Sequence, residues 1–112
     1  MNKIVLVTGG SRGIGAAAVQ AFARAGCRVI LNYNKSEAAA RAIADAWPGQ
    51  VFPVQADVSD PAQVEELFRQ AEALCGPVEV LVCNAGLAQQ KLFTDLTDEG
   101  WARRIGVHLS EA

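Results

Sequence analysis

Short apolar runs alternate with amphipathic stretches along nearly the whole chain, and this alternation restricts the fold more than any other feature of the sequence. Ile4-Val5-Leu6-Val7 is a continuous apolar run of the kind that forms a strand covered on both faces. Beyond a glycine-rich turn, Ile14, Ala18, Phe22 and Ala25 recur at helical spacing, and Gly26 supplies a C-terminal stop. Val29-Ile30-Leu31 predicts a second strand. Residues 36–47 predict an alanine-rich helix with Ala39, Ile43 and Trp47 on one face, closed by Pro48-Gly49. Val51-Phe52-Pro53-Val54 predicts a third strand, and its proline confines it to a sheet edge because proline has no N–H for the ladder.

Asp60-Pro61 then opens a third helix, with Asp60 as N-cap, Pro61 at the first helical position and Gln63 placed to reach back. Val64, Leu67, Phe68, Ala71 and Leu74 give that helix the clearest apolar stripe in the chain. Gly76-Pro77 ends it, and Val78 to Cys83 predicts a fourth strand. Thr97 can cap a last helix, which Leu96 and Trp101 suit as a hydrophobic staple. Strands alternating with helices imply a parallel sheet with right-handed crossovers. The expected class is therefore α/β, a Rossmann-like doubly wound sheet of strand order 3-2-1-4 with helices on both faces. No repeat, low-complexity tract or linker interrupts it. The 112 residues are enough for one domain and too few for two, so residues 1–112 form a single unit.

Composition removes several function classes. Apolar residues make up 51% and charged residues 20%, which does not suit a disordered chain. No apolar run approaches the ~20 residues needed to cross a bilayer, and the four apolar residues after Lys3 are too few for a secretory leader, so no membrane or export role is expected. A net charge of −2 argues against a general nucleic-acid binder. Cys27, Cys75 and Cys83 have no paired spacing and only one histidine accompanies them, so no metal site is expected. Three reduced thiols suit a cytoplasmic protein.

The charge is unevenly spread: residues 1–56 carry +4 and residues 57–112 carry −6, and the first acid in the chain is Glu37. That basic N-terminal third contains Gly9-Gly10-Ser11-Arg12-Gly13-Ile14-Gly15, between the first strand and the first helix. Glycine there lets the backbone turn sharply and approach a pyrophosphate, while the new helix offers free N–H groups and a positive dipole end. Gly15 lets the helix pack closely on the strand. Sheets of this type that select NAD place an acid after the second strand to hold the ribose hydroxyls. Here that place holds Asn32-Tyr33-Asn34-Lys35-Ser36, without an acid. Arg12 and Lys35 could instead pair with a 2′-phosphate, with Asn34 and Ser36 beside them, so NADP(H) is expected over NAD(H).

The spacing Thr8-Gly9-x-x-x-Gly13-Ile14-Gly15 resembles the cofactor motif of the short-chain dehydrogenase/reductase family. Three further motifs match that family in order. Asp57-Val58 after the third strand resembles its adenine-contacting pair, and Asn84-Ala85-Gly86 after the fourth resembles its NAG motif beside the cofactor. Leu92 to Leu109 resembles its fifth helix and approach. Within the family the likeness is to 3-oxoacyl-acyl-carrier-protein reductases. The resemblance implies hydride transfer between NADPH and a small-molecule carbonyl or alcohol, with a tyrosine as acid, a lysine that lowers its pKa and a serine that orients the carbonyl. It also implies a relay asparagine on the fifth helix, whose place His108 takes.

The chain has one tyrosine, Tyr33, and no YxxxK, so the resemblance places the serine and the YxxxK downstream of residue 112. The expectation is a cofactor-binding unit truncated before the catalytic half, inactive alone toward carbonyls. His108 has a simpler reading, packing beside Trp101, Ile105 and Leu109. Asp57 has a simpler reading as a cap or turn residue, though its place at a strand's carboxyl end favours a ligand role, and Asn84 can satisfy loop backbone as well as touch a cofactor. A non-catalytic nucleotide-binding or interaction module is the alternative function, whereas a methyltransferase is disfavoured by the Gly13-Ile14-Gly15 and Asn84-Ala85-Gly86 motifs. In a 3-2-1-4 sheet the apolar fourth strand would leave an open edge, which invites cover by further strands, a second copy or another chain.

Overall fold

The computed structural model describes residues 3–11, 13–84 and 106–110. Five strands and three helices follow one another as β1 (Ile4–Thr8), α1 (Gly13–Arg24), β2 (Arg28–Tyr33), α2 (Glu37–Ala46), β3 (Val51–Gln55), α3 (Pro61–Leu74), β4 (Val80–Asn84) and β5 (Gly106–Ser110). All pair in parallel, in the order β3-β2-β1-β4-β5. The doubly wound sheet with the 3-2-1-4 order is therefore present, and β3, carrying Pro53, lies at its edge.

The apolar runs split by alternation. Leu6, Ile30, Val54, Leu81 and Cys83 point to the face covered by α3, where they meet Val64, Leu67, Phe68 and Ala71. Val5, Val7, Val29, Leu31, Val51 and Val80 point to the opposite face, against Val19 and Ala23 of α1 and Ala40 of α2. From Val5 to Val7 neither face of β1 meets water, which is why its run has no polar interruption. Burying each of these larger side chains contributes about 1.5–3 kcal/mol.

Local signals act as the sequence indicates at several places. Gly26 has φ 92°, and the Asp60 carboxylate accepts from the Ala62 N–H at 3.0 Å with Pro61 beginning α3. The helical stripes shift in detail. α1 buries Gly15, Val19 and Ala23, while Ile14 is 56% exposed and Ala25 is exposed too. Leu74 is 49% exposed, so the stripe of α3 ends at Ala71. In α2 it is Ala40, not Ala39, that is fully buried. Each shift follows from the direction of approach to the sheet, which repeats of three or four residues do not fix by themselves.

One expectation is overturned. The segment expected to be the end of a helix is β5 from Gly106 to Ser110, paired to β4 with Val82 opposite His108. Pairing supplies partners for the edge N–H and C=O groups of β4, and glycine and valine at the start of the segment weaken any helix there. The chain itself thereby covers the β4 edge that would have called for another chain. The proposed Thr97 cap and the Leu96–Trp101 staple lie outside the described residues.

Candidate functional site

Parallel pairing brings the carboxyl ends of the strands to one edge of the sheet, and that edge gathers the residues singled out above. Thr8 closes β1, Tyr33 closes β2, Gln55 closes β3 and Asn84 closes β4. The turn Gly9-Gly10-Ser11 leads from β1 towards α1. The bend Asn34-Lys35-Ser36 leads from β2 to α2, and Asp57-Val58 lie between β3 and α3. Arg12, Ala85 and Gly86 lie outside the described residues.

The glycines of the turn serve different ends. Gly9 and Gly13 have φ 62° and 56°, a left-handed conformation that side chains disfavour. Nothing lies within 4 Å of where a Cβ on Gly13 would stand, so backbone shape alone demands glycine there. Gly10 is a matter of space: its Cβ would meet Val19 Cγ2 at 2.9 Å and Leu31 Cγ at 3.1 Å. Gly9, Gly13 and Ile14 are exposed, Ser11 is half-buried, and Gly15 is buried where α1 meets the sheet. The outer rim of the turn is therefore backbone open to a ligand, with the apolar Ile14 side chain beside it.

Thr8 is fully buried, and its side chain hydrogen-bonds the thiol of Cys83, its partner in the β1–β4 register. Burial pushes the Cys83 thiol up to about 12, with the Thr8 hydrogen bond opposing, so Cys83 stays a neutral thiol. Both are internal packing. Cys27, Cys75 and Cys83 are free, and no three His, Cys, Asp or Glu side chains gather as a metal site among the described residues.

At the end of β2, Asn34 and Lys35 are exposed. The Asn34 backbone and side-chain oxygens accept from Gln55 Nε2 at 3.2 and 3.3 Å, which ties this bend to β3. Ser36 stands at the N-cap of α2 but makes no side-chain cap hydrogen bond. Glu37, the first acid, is occupied on its other side: Tyr33 Oη donates to its Oε1 at 3.4 Å, and Arg41 pairs with it at 3.6 Å.

Asp57 has a local role. Its Oδ1 accepts from Ser59 N at 3.0 Å and Ser59 Oγ at 2.6 Å. Those two bonds, the hydroxyl one first, hold its carboxyl below the usual range, with a smaller contribution from Lys35. Gln63 reaches back to two residues: its Oε1 accepts from Asp57 N at 2.7 Å and its Nε2 donates to Oδ2 of the N-cap Asp60 at 3.4 Å. Val58 packs against the α3-side core.

Sequence reasoning passed over Asn32. Its side chain is 2% exposed, Oδ1 accepts from Gly9 N at 3.3 Å, and Nδ2 faces three backbone carbonyls, of Tyr33, Val54 and Ala56. The signal was an amide inside the run Val29 to Tyr33, where an apolar residue would ordinarily stand. His108 stands on β5, not on a helix, so the structure does not give it the relay asparagine's helical setting.

A family model for short chain dehydrogenase matches residues 3–110. The chain belongs to the short-chain dehydrogenase family. Among relatives of the same family, the 3-oxoacyl-[acyl-carrier-protein] reductase of Escherichia coli is 39% identical over 109 residues, which cover 97% of this chain and 44% of that protein. A short-chain dehydrogenase/reductase from Serratia marcescens superposes with a TM-score of 0.83 at 30% identity, over 96% of this chain and 54% of that one. A blue fluorescent protein from a metagenomic library, solved in complex with NADPH, superposes at 0.71 with 41% identity, over 76% of this chain and 36% of that one. The chain thus spans about half the length of the short-chain dehydrogenases it matches.

Proposed function

We propose that residues 1–112 are the NADP(H)-binding portion of a short-chain reductase that passes hydride between NADPH and a carbonyl of the 3-oxoacyl type. The observation that carries this reading is the pairing of an open, left-handed glycine turn after β1 with an acid-free, Lys35-bearing bend after β2. Gly9 and Gly13 allow the backbone to come close to a pyrophosphate, and the N-terminus of α1 faces the same edge. Lys35 would meet a 2′-phosphate, helped by Asn34, by Ser36 and by the α2 N-terminus, which no Ser36 side chain caps. Arg12 would join it from the turn. Glu37 is drawn off by Tyr33 and Arg41 rather than left to receive ribose hydroxyls.

Asp57, Val58, Asn84, Ala85 and Gly86 would border the adenine and nicotinamide ends. Thr8 would act through packing. The bound nicotinamide supplies the hydride. These residues bind and orient it, and acid catalysis belongs elsewhere: Tyr33, the one tyrosine, is buried in β2 with its hydroxyl on Glu37. A carbonyl compound is the expected partner, and a cytoplasmic setting suits three free thiols. Fluorescence titration of the chain with NADPH and NADH tests the reading. NADPH should bind at least tenfold more tightly; equal or tighter binding of NADH would overturn the cofactor assignment.

A further inference from the structure

Asn32 sits under the glycine turn and reaches in two directions. Its backbone carbonyl accepts from Gly10 N at 2.9 Å while its side-chain Oδ1 accepts from Gly9 N at 3.3 Å, so one residue holds two successive N–H groups of the turn. The other end of the amide, Nδ2, faces the carbonyls of Val54 and Ala56 at 3.4 and 3.2 Å, at the end of β3 and directly before Asp57. A third carbonyl, of Tyr33, lies at 3.4 Å. The orientation of the amide is fixed by chemistry: three carbonyls can only be met by an NH₂, and the Gly9 N–H only by an oxygen. Two hydrogens serve three acceptors, so the site is shared rather than loosely filled.

No other residue type offers an acceptor upward and two donors sideways at this length. Glutamine is one carbon too long for a buried site, aspartate would turn a carboxylate oxygen towards three carbonyls, and leucine would remove the oxygen that Gly9 N–H meets. The strand register places Asn32 opposite Val54, which is what lets one side chain span both loops.

We propose that Asn32 is a positioning residue for the dinucleotide: it sets the shape of the Gly9-Gly10 turn and keeps it in register with the Asp57 loop. It touches no ligand and acts through the backbone. The inference rests on the reading of this edge as a dinucleotide site, but its first consequence, the shape of the turn, does not need a ligand.

The test compares Asn32→Ala with Phe68→Leu, a substitution of a core side chain carried by α3 rather than by the turn or β2. Three quantities are read: melting temperature, hydrogen exchange at the Gly9 and Gly10 amides, and NADPH affinity well below the melting transition. Asn32→Ala should speed exchange at Gly9 and Gly10 by at least tenfold more than at Leu6 and Ile30, and weaken NADPH binding at least tenfold. Phe68→Leu should lower the melting temperature yet leave NADPH affinity and the exchange ratio within twofold of wild type. If Asn32→Ala changes stability alone, or if both variants lose affinity in proportion to stability, Asn32 is a packing residue and the proposal fails. Should wild-type chain bind neither NADPH nor NADH, the functional reading falls, and the exchange ratio at Gly9 and Gly10 still decides whether Asn32 shapes the turn. If Asn32→Ala is too unstable to study, Asn32→Ser, which keeps a short acceptor, is read for the same ratio.

Discussion

The turn after β1 and the loop after β3 lie at the same edge of the sheet, yet their polar groups are satisfied from very different distances along the chain. Gly9 and Gly10 are held by Asn32, more than twenty residues away, which in turn draws on Val54 and Ala56. The Asp57 loop closes on itself: Ser59 serves the Asp57 carboxylate, Gln63 serves its N–H, and Asp60 caps α3. The turn draws its hydrogen bonds from across the sheet, whereas the Asp57 side chain and N–H draw theirs from Ser59 and Gln63, close in sequence. A turn assembled through the sheet exists only in the folded chain, so the phosphate cradle proposed there would couple binding to folding more strongly than the Asp57 loop would.

Substitutions that reach across the sheet should break that contrast most. Gly10→Ala brings a methyl within 2.9 Å of Val19 Cγ2 and should destabilise the chain by about 1–3 kcal/mol, read as a fall in the urea midpoint. It should weaken NADPH binding as well, because relief of the clash displaces the turn. Asp60→Ala removes only a local cap. It should cost about 1 kcal/mol in the same experiment and leave NADPH affinity unchanged within twofold. Equal losses of affinity in both variants would erase the distinction between the two loops.

The smallest effect is on acid stability. Asp57 has its carboxyl pKa lowered in the folded chain, so the stability it contributes is complete above its ordinary value of 3.8 and is lost as pH falls through the lower folded value. Ser59→Ala removes the hydroxyl that contributes most to this shift. The variant should differ from wild type above pH 3.8, and the two should converge as pH falls below it, in urea midpoints followed against pH. A difference that grows with acid would contradict the assignment.

The sheet and its local caps were legible in the sequence because each depends on neighbouring residues. Alternating runs announced the strands, Pro53 announced the edge, and Asp60-Pro61 announced the start of α3. The glycine turn was legible by position, though its two kinds of glycine were not: Gly13 answers to φ and Gly10 to Val19 and Leu31. Asn32 was missed because its partners come from the turn after β1 and the end of β3, which only the β2–β3 register brings within reach. The fate of Gly106–Ser110 was missed for the same reason. Its residues suit a helix or a strand, and the edge of β4 decides between them.

Following the backbone amides of the chain during NADPH titration tests the central claim most directly. Saturable shifts should concentrate at Gly9, Gly10, Ser11, Gly13, Asn34, Lys35 and Asp57, at the carboxyl edge of the sheet, and be larger and earlier than with NADH. Shifts scattered over α2 and α3, or none at millimolar NADPH, would contradict it.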